Sequence, residues 1–515
     1  MGDSGRGEVL RFLNKPVNFR PILFCALAYA SGIFIFGKFA ASGLSPIFSA
    51  VAFTSSVVAV VLPFCIKRRM KAFVLTYALC VAFSLFGVLA ANAAFGVYKE
   101  GRLRADDYYV TGEVESVSEY GDYSRITLKN CKYNGKDGGK LNLTYVDINV
   151  KKYDTIVVVC KAGPTEEYVG AALSKSALYG ISMTSSEVTY YEITGRSDKF
   201  YAKFAYFTDE ILSEGMNGEE YAVARSLLRG DTDEMSHGNL SSYRMSGIAH
   251  VFAVSGMHVG LVFAAFSLIF RFLPFKKIYK NSVITFLLFL YAYLCGMTAS
   301  SIRAAVMCGF SAIVGSVGEK KDRVNSVALA LLVVLTINPF DLFGAGFILS
   351  FAVSFSIIVL ASPVSEALSF MPKKIRDSLS VMIAASVTSI PLCTLLFGYF
   401  PLVSFVTNLA LIPLVTISFY TLWIGVIISA ILPVNRLIAL FIPGNLLKFV
   451  SGICGVFSRF PLAVRIFPAG FAAAYFIAAF ALSDVLNTGK KTKICVAIYL
   501  ALSVIFLTVY SFAAV

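Results

Sequence analysis

The sequence predicts a polytopic α-helical membrane protein carrying a small extracytoplasmic β-barrel domain of the OB type. Three observations carry that prediction. The 515 residues are 57% hydrophobic and only 15% charged, with a mean hydropathy of +0.74, whereas soluble domains carry about 25% charged residues. Lys and Arg collect in short loops between apolar runs, which is the sequence form of the positive-inside rule. One polar block with period-two alternation interrupts the apolar runs. A single soluble enzyme is excluded.

The first unit, residues 1–98, opens with Arg6, Arg11, Lys15 and Arg20 ahead of an apolar run from Ile22 to Phe36. That charged start resembles a signal peptide, but further spans follow at once without a clear cleavage site, so the run is expected to stay as an anchor. A second run covers Leu44 to Ile66. Lys67, Arg68, Arg69 and Lys71 then precede a third, from Ala72 to Val97. With the N-terminus and the Lys67 cluster in the cytoplasm, the third run ends outside.

Residues 99–198 form the β unit. Between Lys99 and Lys203 there are 15 basic and 15 acidic residues, leaving 30 basic against 16 acidic elsewhere. The net +14 therefore belongs to the membrane loops, and it reads as topology rather than nucleic-acid binding. Five strands are expected, at Tyr108–Val117, Ser124–Asn130, Leu141–Val150, Thr155–Cys160 and Glu187–Thr194, with Gly- and Asp-rich turns separating several of them. Five short strands fit an OB-like barrel. Such a fold suggests nucleic-acid or sugar binding without conferring it, and a neutral block is poorly suited to hold DNA alone. Cys131 and Cys160 are the two cysteines of this block; outside the cytoplasm they are candidates for one disulfide. The other eight read as small buried hydrophobes.

Residues 199–247 read as an amphipathic helix with Phe200, Phe204, Phe207 and Ile211 on one face, suited to the membrane surface, followed by a polar connector of mixed charge. The multi-span unit, 248–515, holds ten further apolar runs, the first from Ile248 to Leu273 and the last two at Pro468–Val485 and Ile494–Ala514. The central expectation is thirteen spans. Loops at Arg271–Lys280, Glu319–Arg323 and Pro363–Arg376 fall on the cytoplasmic side.

Polar interruptions in apolar runs are where function is sought. Ile248–Gly260 carries His250, Ser255 and His258. Two histidines eight apart are poorly aligned for a metal on one helix face, so no metal or other cofactor is expected. Gly256 and Gly260 have the spacing of a close helix contact, which offers a purely structural reading. Cys295–Ala305 brings Thr298, Ser301 and Arg303 to the membrane edge, where Arg303 either faces a partner or water or snorkels to the interface. Asn338–Phe351 holds Gly346 and Ser350. Pro391, Pro401 and Pro413, with Asn408, are expected to break helices around a hydrated path. Arg225, Arg229 and Arg244 are candidates to gather a phosphate backbone at the outer mouth.

Leu227-Leu-Arg-Gly-Asp231, Ser246-Gly-Ile-Ala-His-Val-Phe-Ala-Val-Ser-Gly-Met-His-Val, Ser301-Ile-Arg-Ala, Gly346-Phe-Ile-Leu-Ser-Phe and Asn408-Leu-Ala-Leu-Ile-Pro413, in this order, resemble the ComEC-type competence proteins. The resemblance implies a channel passing one strand of DNA through the cytoplasmic membrane during natural transformation while the other strand is degraded. It implies single-stranded DNA and the lipid bilayer as partners, with a DNA receptor, a nuclease and a cytoplasmic motor or helicase as separate proteins; self-association is left open. No G-x-x-x-x-G-K-[ST] string is present, in keeping with a separate motor. Many relatives carry glutamine where Ile348 stands. Larger relatives add a metallo-β-lactamase-like domain, and with His237, His250 and His258 as its only histidines this chain is expected to have no nuclease activity of its own. A small-solute or polymer transporter and a membrane-anchored binding protein are the alternatives.

Overall fold

The computed structural model describes residues 20–40, 70–120, 123–146, 148–170, 172–318, 322–432, 436–460, 462–467 and 475. The Lys67 cluster and the runs Leu44–Ile66, Pro468–Val485 and Ile494–Ala514 lie outside these residues. Among the described residues, seven helices are long and apolar enough to cross a membrane, so the chain is a multi-pass membrane protein.

Helices α1 (Pro21–Phe39) and α2 (Met70–Glu100) cross through glycines. A Cβ on Gly32 would lie 2.1 Å from the Ser84 carbonyl oxygen, and one on Gly87 2.3 Å from that of Tyr29. Contacts climb both helices together, from Ala28 with Cys80 to Phe36 with Phe95, so the two run parallel. The Arg20 Nε donates to the Asp322 carboxylate at 2.8 Å, joining two segments that the charge pattern puts on one side.

Beyond Glu100 the chain enters the β domain. Strands β1 (Asp106–Tyr120), β2 (Tyr123–Tyr133), β3 (Lys140–Val146), β4 (Asp154–Pro164) and β5 (Ile181–Arg196) alternate inward and outward, with Ile126 and Leu128, Leu141 and Leu143, and Ile156 and Val158 all inside. β1 pairs with β2 and with β4, β2 with β3, β3 with β5 in parallel, and β5 with β4. The hydrogen-bonded order thus returns to its first strand. The first, second and fourth strands run longer than expected at both ends, and the other two differ in kind. The third strand stops at Val146, and the last begins at Ile181 because it pairs with β3 through Lys140 to Leu143 before running along β4. The short helix α3 (Lys175–Tyr179), capped by the Ser174 hydroxyl, was not evident in the sequence.

The expected Cys131–Cys160 disulfide is corrected: both thiols are free and buried. They sit on β2 and β4, which flank β1. Two strand spacings, roughly 9–10 Å, exceed the roughly 4.4–6.8 Å between Cα atoms that a disulfide tolerates.

The polar connector is also corrected. Helices α4 (Phe200–Gly215), α5 (Gly218–Arg229), α6 (His237–Ser246) and α7 (Ala249–Phe252) share one hydrophobic core with the later spans. In α5 every residue from Ala222 to Arg229 is buried. α4 turns Ala202, Ala205, Thr208, Ile211 and Leu212 inward and leaves Phe200 and Phe207 exposed, because the small side chains permit the closer approach. The run expected from Ile248 to Leu273 is split: Ala253 and Ser255 have extended backbone between α7 and α8 (Gly256–Arg271).

Helices α9 (Lys277–Leu294), α10 (Ala299–Val317), α11 (Arg323–Ile337), α12 (Ala345–Ala367), α13 (Lys373–Phe397), α14 (Ser404–Ile431) and α15 (Arg436–Phe457) follow. Of the expected proline breaks, Pro401 does lie between two helices, but the other two do not interrupt theirs. Pro391 and Pro413 lie inside the continuous helices α13 and α14, and the interruption falls between Gly398 and Val403. The Thr394 and Thr416 hydroxyls bond to the Ile390 and Ile412 carbonyls, not to those of Val387 and Leu409 that the two prolines leave without an N–H partner.

Candidate functional site: a buried arginine centre and a charged seam

The first turns of α8 and α10 meet α12 around Arg303. Ser255 caps α8, its hydroxyl accepting from the Met257 N–H, while Nδ1 of His258 accepts from the Ser255 N–H at 3.3 Å. This capping box fixes His258, which is wholly buried with its ring 5.4 Å from that of Phe419 and its Nε2 unbonded. Thr298 caps α10 by accepting from the Ser301 N–H, and the Ser301 hydroxyl donates to the Thr298 carbonyl. Thr298 and Ser301 thus set the start of the helix that carries Arg303.

Arg303 is 7% exposed. Its Nη1 donates to the Ser350 carbonyl and to the Ser354 hydroxyl on α12, and the Ser350 hydroxyl donates to that of Ser300 at 3.0 Å. The guanidinium carbon lies 5.8 Å from the Phe351 ring centroid. Nε has no acceptor. Glycine at 256 lets the guanidinium sit close, since a Cβ there would come 2.8 Å from Nη2 and the arginine would have to shift. The pairing of Gly256 with Gly260 in one seam does not hold, because a Cβ on Gly260 would meet nothing within 4 Å. The same is true of Gly346, whose structural role is not supported. Ile348 packs among the apolar side chains around Phe347 and Phe351.

Three expected residues lie elsewhere. His250 is exposed, with Nδ1 3.2 Å from the Gly247 carbonyl, so it does not join His258. Arg244 is exposed at the end of α6. Asn408 sits on α14 with a buried, unbonded Oδ1, one residue beyond Thr407, whose hydroxyl donates to the Ser246 carbonyl.

Arg225 and Arg229 do not offer charge at a surface. Both are 5% exposed and are neutralised at the seam between α5 and the β domain. Arg225 reaches Asp231 at 2.8 Å, Glu234 at 3.0 Å and Asp209 at 3.1 Å, Arg229 reaches Asp209 at 2.7 Å, and Lys152 of the β domain lies 3.8 Å from Asp231. Burial alone would raise the Asp231 carboxyl, but Lys152, Arg225 and Arg229 overcome it and hold it below the ordinary range. Asp233, buried beside ionised Asp231, is pushed up to about 7, burial being the larger cause. A second joint forms at Glu113, which accepts from Tyr201 at 2.7 Å and from Lys199 at 3.0 Å. Burial opposes its charge, yet these hydrogen bonds and Lys129 keep it below its usual value. Asp209, Lys152, Asp233 and Glu113 were missed in the sequence. The signal was present for the first seam, since two arginines four apart on one helix are followed by Asp231, Asp233 and Glu234.

The sequence model of the family described as "Competence protein" matches residues 227–488. The ComE operon protein 3 of Bacillus subtilis (strain 168) is 31% identical over 215 residues, 41% of this chain and 26% of that protein, so the match spans about a quarter of the relative's length. No solved structure matches.

Proposed function

Because the chain belongs to the competence protein family, we propose that it imports single-stranded DNA across the cytoplasmic membrane during natural transformation. One observation carries this reading: the matched region, 227–488, includes the whole polar set that α8, α10, α12 and α14 place within apolar helices. A strand with one charge per nucleotide needs groups that replace its solvation, and these helices supply hydroxyls, an amide and a guanidinium.

The β domain is assigned to the outer side as a small barrel of the OB type. Its support is the closed order of strand pairing with a single parallel pair. Its neutral charge argues for guidance of a strand rather than strong capture. A DNA receptor, a nuclease and a motor or helicase would be separate proteins. The chain itself has no assigned catalysis, and its three histidines do not supply a dinuclear metal set.

The test is the frequency of transformation by a chromosomal marker in a strain lacking the chain and in the same strain with it restored. Restoration to the parental frequency supports DNA import; equal frequencies in both strains would favour transport of another solute.

A further inference from the structure

We propose that Arg303 and the glycine-lined first turn of α8 seat one phosphodiester of the passing strand. This rests on the DNA-import reading and adds to it a binding site and its ligand chemistry.

Elsewhere this chain neutralises its buried arginines with carboxylates. Arg225 and Arg229 are each 5% exposed, and each has carboxylates within about one hydrogen-bond length, Asp209, Asp231 and Glu234 among them. Arg303 is buried to nearly the same degree, 7% exposed, and the described residues give it no carboxylate. It holds only two neutral acceptors, the Ser350 carbonyl and the Ser354 hydroxyl, both on Nη1.

Those two contacts hold the guanidinium through Nη1 and leave its Nε–Nη2 edge without an acceptor among the described residues. Nε is buried with no acceptor, and Nη2 has none among the described residues. Nε and Nη2 form one of the two-pronged faces with which arginine grips two oxygens of a carboxylate or phosphate. That face lies against the start of a sixteen-residue helix, α8, whose N-terminal end carries partial positive charge. Gly256 permits that close approach, because a Cβ there would lie 2.8 Å from Nη2. Among the described residues, a buried cation beside a positive helix end, with no carboxylate partner and two aligned donors unpaired, has the chemistry of an anion site. A phosphodiester offers two non-bridging oxygens on one charge, matching the open face.

The test uses the full chain purified in a maltoside detergent, which brings no phosphate. Binding of a fluorescent oligothymidylate is measured across a sodium chloride series. Each phosphate neutralised on a single strand contributes about −0.7 to the slope of log affinity against log salt. Arg303→Gln is expected to reduce the steepness by about 0.7, and Arg303→Lys, which keeps the charge but not the fork, to keep the slope and bind several-fold more weakly. Should Arg303→Gln fail to fold, the wild-type chain still decides: inorganic phosphate should raise its Tm above chloride at equal ionic strength, and Arg303→Lys should lessen that rise.

Equal slopes for wild type and Arg303→Gln would overturn the site while leaving DNA import standing. A phosphate-dependent rise in Tm that needs Arg303, in a chain that binds no oligonucleotide, would retain the anion site and overturn the strand as its source. The same holds if added phosphatidylglycerol raises Tm through Arg303 and the oligonucleotide does not; the ligand is then a lipid headgroup.

Discussion

Asp231→Asn tests whether the charged seam holds the β domain to the helices. The carboxylate is 2.8 Å from Arg225 and 3.8 Å from both Arg229 and Lys152. Arg225 keeps Asp209 and Glu234 after the change, and Arg229 keeps Asp209, but Lys152 loses the carboxylate it pairs with. Breaking a buried ion pair costs about 3–5 kcal/mol. The retained acids place the expected cost near the lower end, about 3 kcal/mol, which is roughly a hundredfold in the equilibrium between docked and undocked seam. Hydrogen exchange of the α5 and β4 amides reads this directly, as faster exchange confined to the seam. Adding Lys152→Met should recover part of the loss, since the orphaned charge goes with it. A change below about 1 kcal/mol, the range of exposed pairs, would refute the claim that the seam is a buried, mutually dependent network.

Two further outcomes follow from the geometry. Asp233 titrates near 7 in the folded chain and near 3.9 when unfolded, so the folded state holds its proton more tightly. Its contribution is complete below about pH 4 and is lost as pH rises through 7; seam protection relative to the intrinsic exchange rate at each pH should rise from pH 7.5 to pH 5.5, and Asp233→Asn should flatten that trend. Gly32→Leu should separate α1 from α2, because even its Cβ would overlap the Ser84 carbonyl at 2.1 Å; an oxidative cross-link between the neighbouring Cys25 and Cys80 that forms with Gly32 in place should then form poorly.

The membrane character and the β unit were legible because both rest on local pattern, long apolar runs in one and alternation of the Ile126, Leu128, Leu141, Leu143 type in the other. Arg303 was legible as an arginine in an apolar run, and the structure adds what sequence does not carry, namely which groups stand opposite it. Arg225 and Arg229 show the limit most clearly. Their mixed-charge surroundings looked like a solvated connector, but the fold brings Asp209 from one element onto both guanidinium groups and Lys152 from another onto Asp231, which Arg225 also holds. Such pairings span 16 to 79 positions, and no local pattern reports them. The disulfide failed for the same reason, since strand order, not cysteine count, decides which thiols meet. Pro391 and Pro413 misled because a packed membrane helix tolerates proline, and both lie inside continuous helices.

The central claim is that this chain carries DNA across the membrane, and the most direct measurement follows labelled DNA itself. Competent cells lacking the chain, with and without a restored copy, are given end-labelled duplex, treated with external nuclease, and assayed for protected label in the cytoplasm. The account predicts that protected single strands accumulate only in the restored cells and that Arg303→Gln, expressed in the membrane at the parental level, leaves little protected label. Equal protection in cells with and without the chain would contradict it.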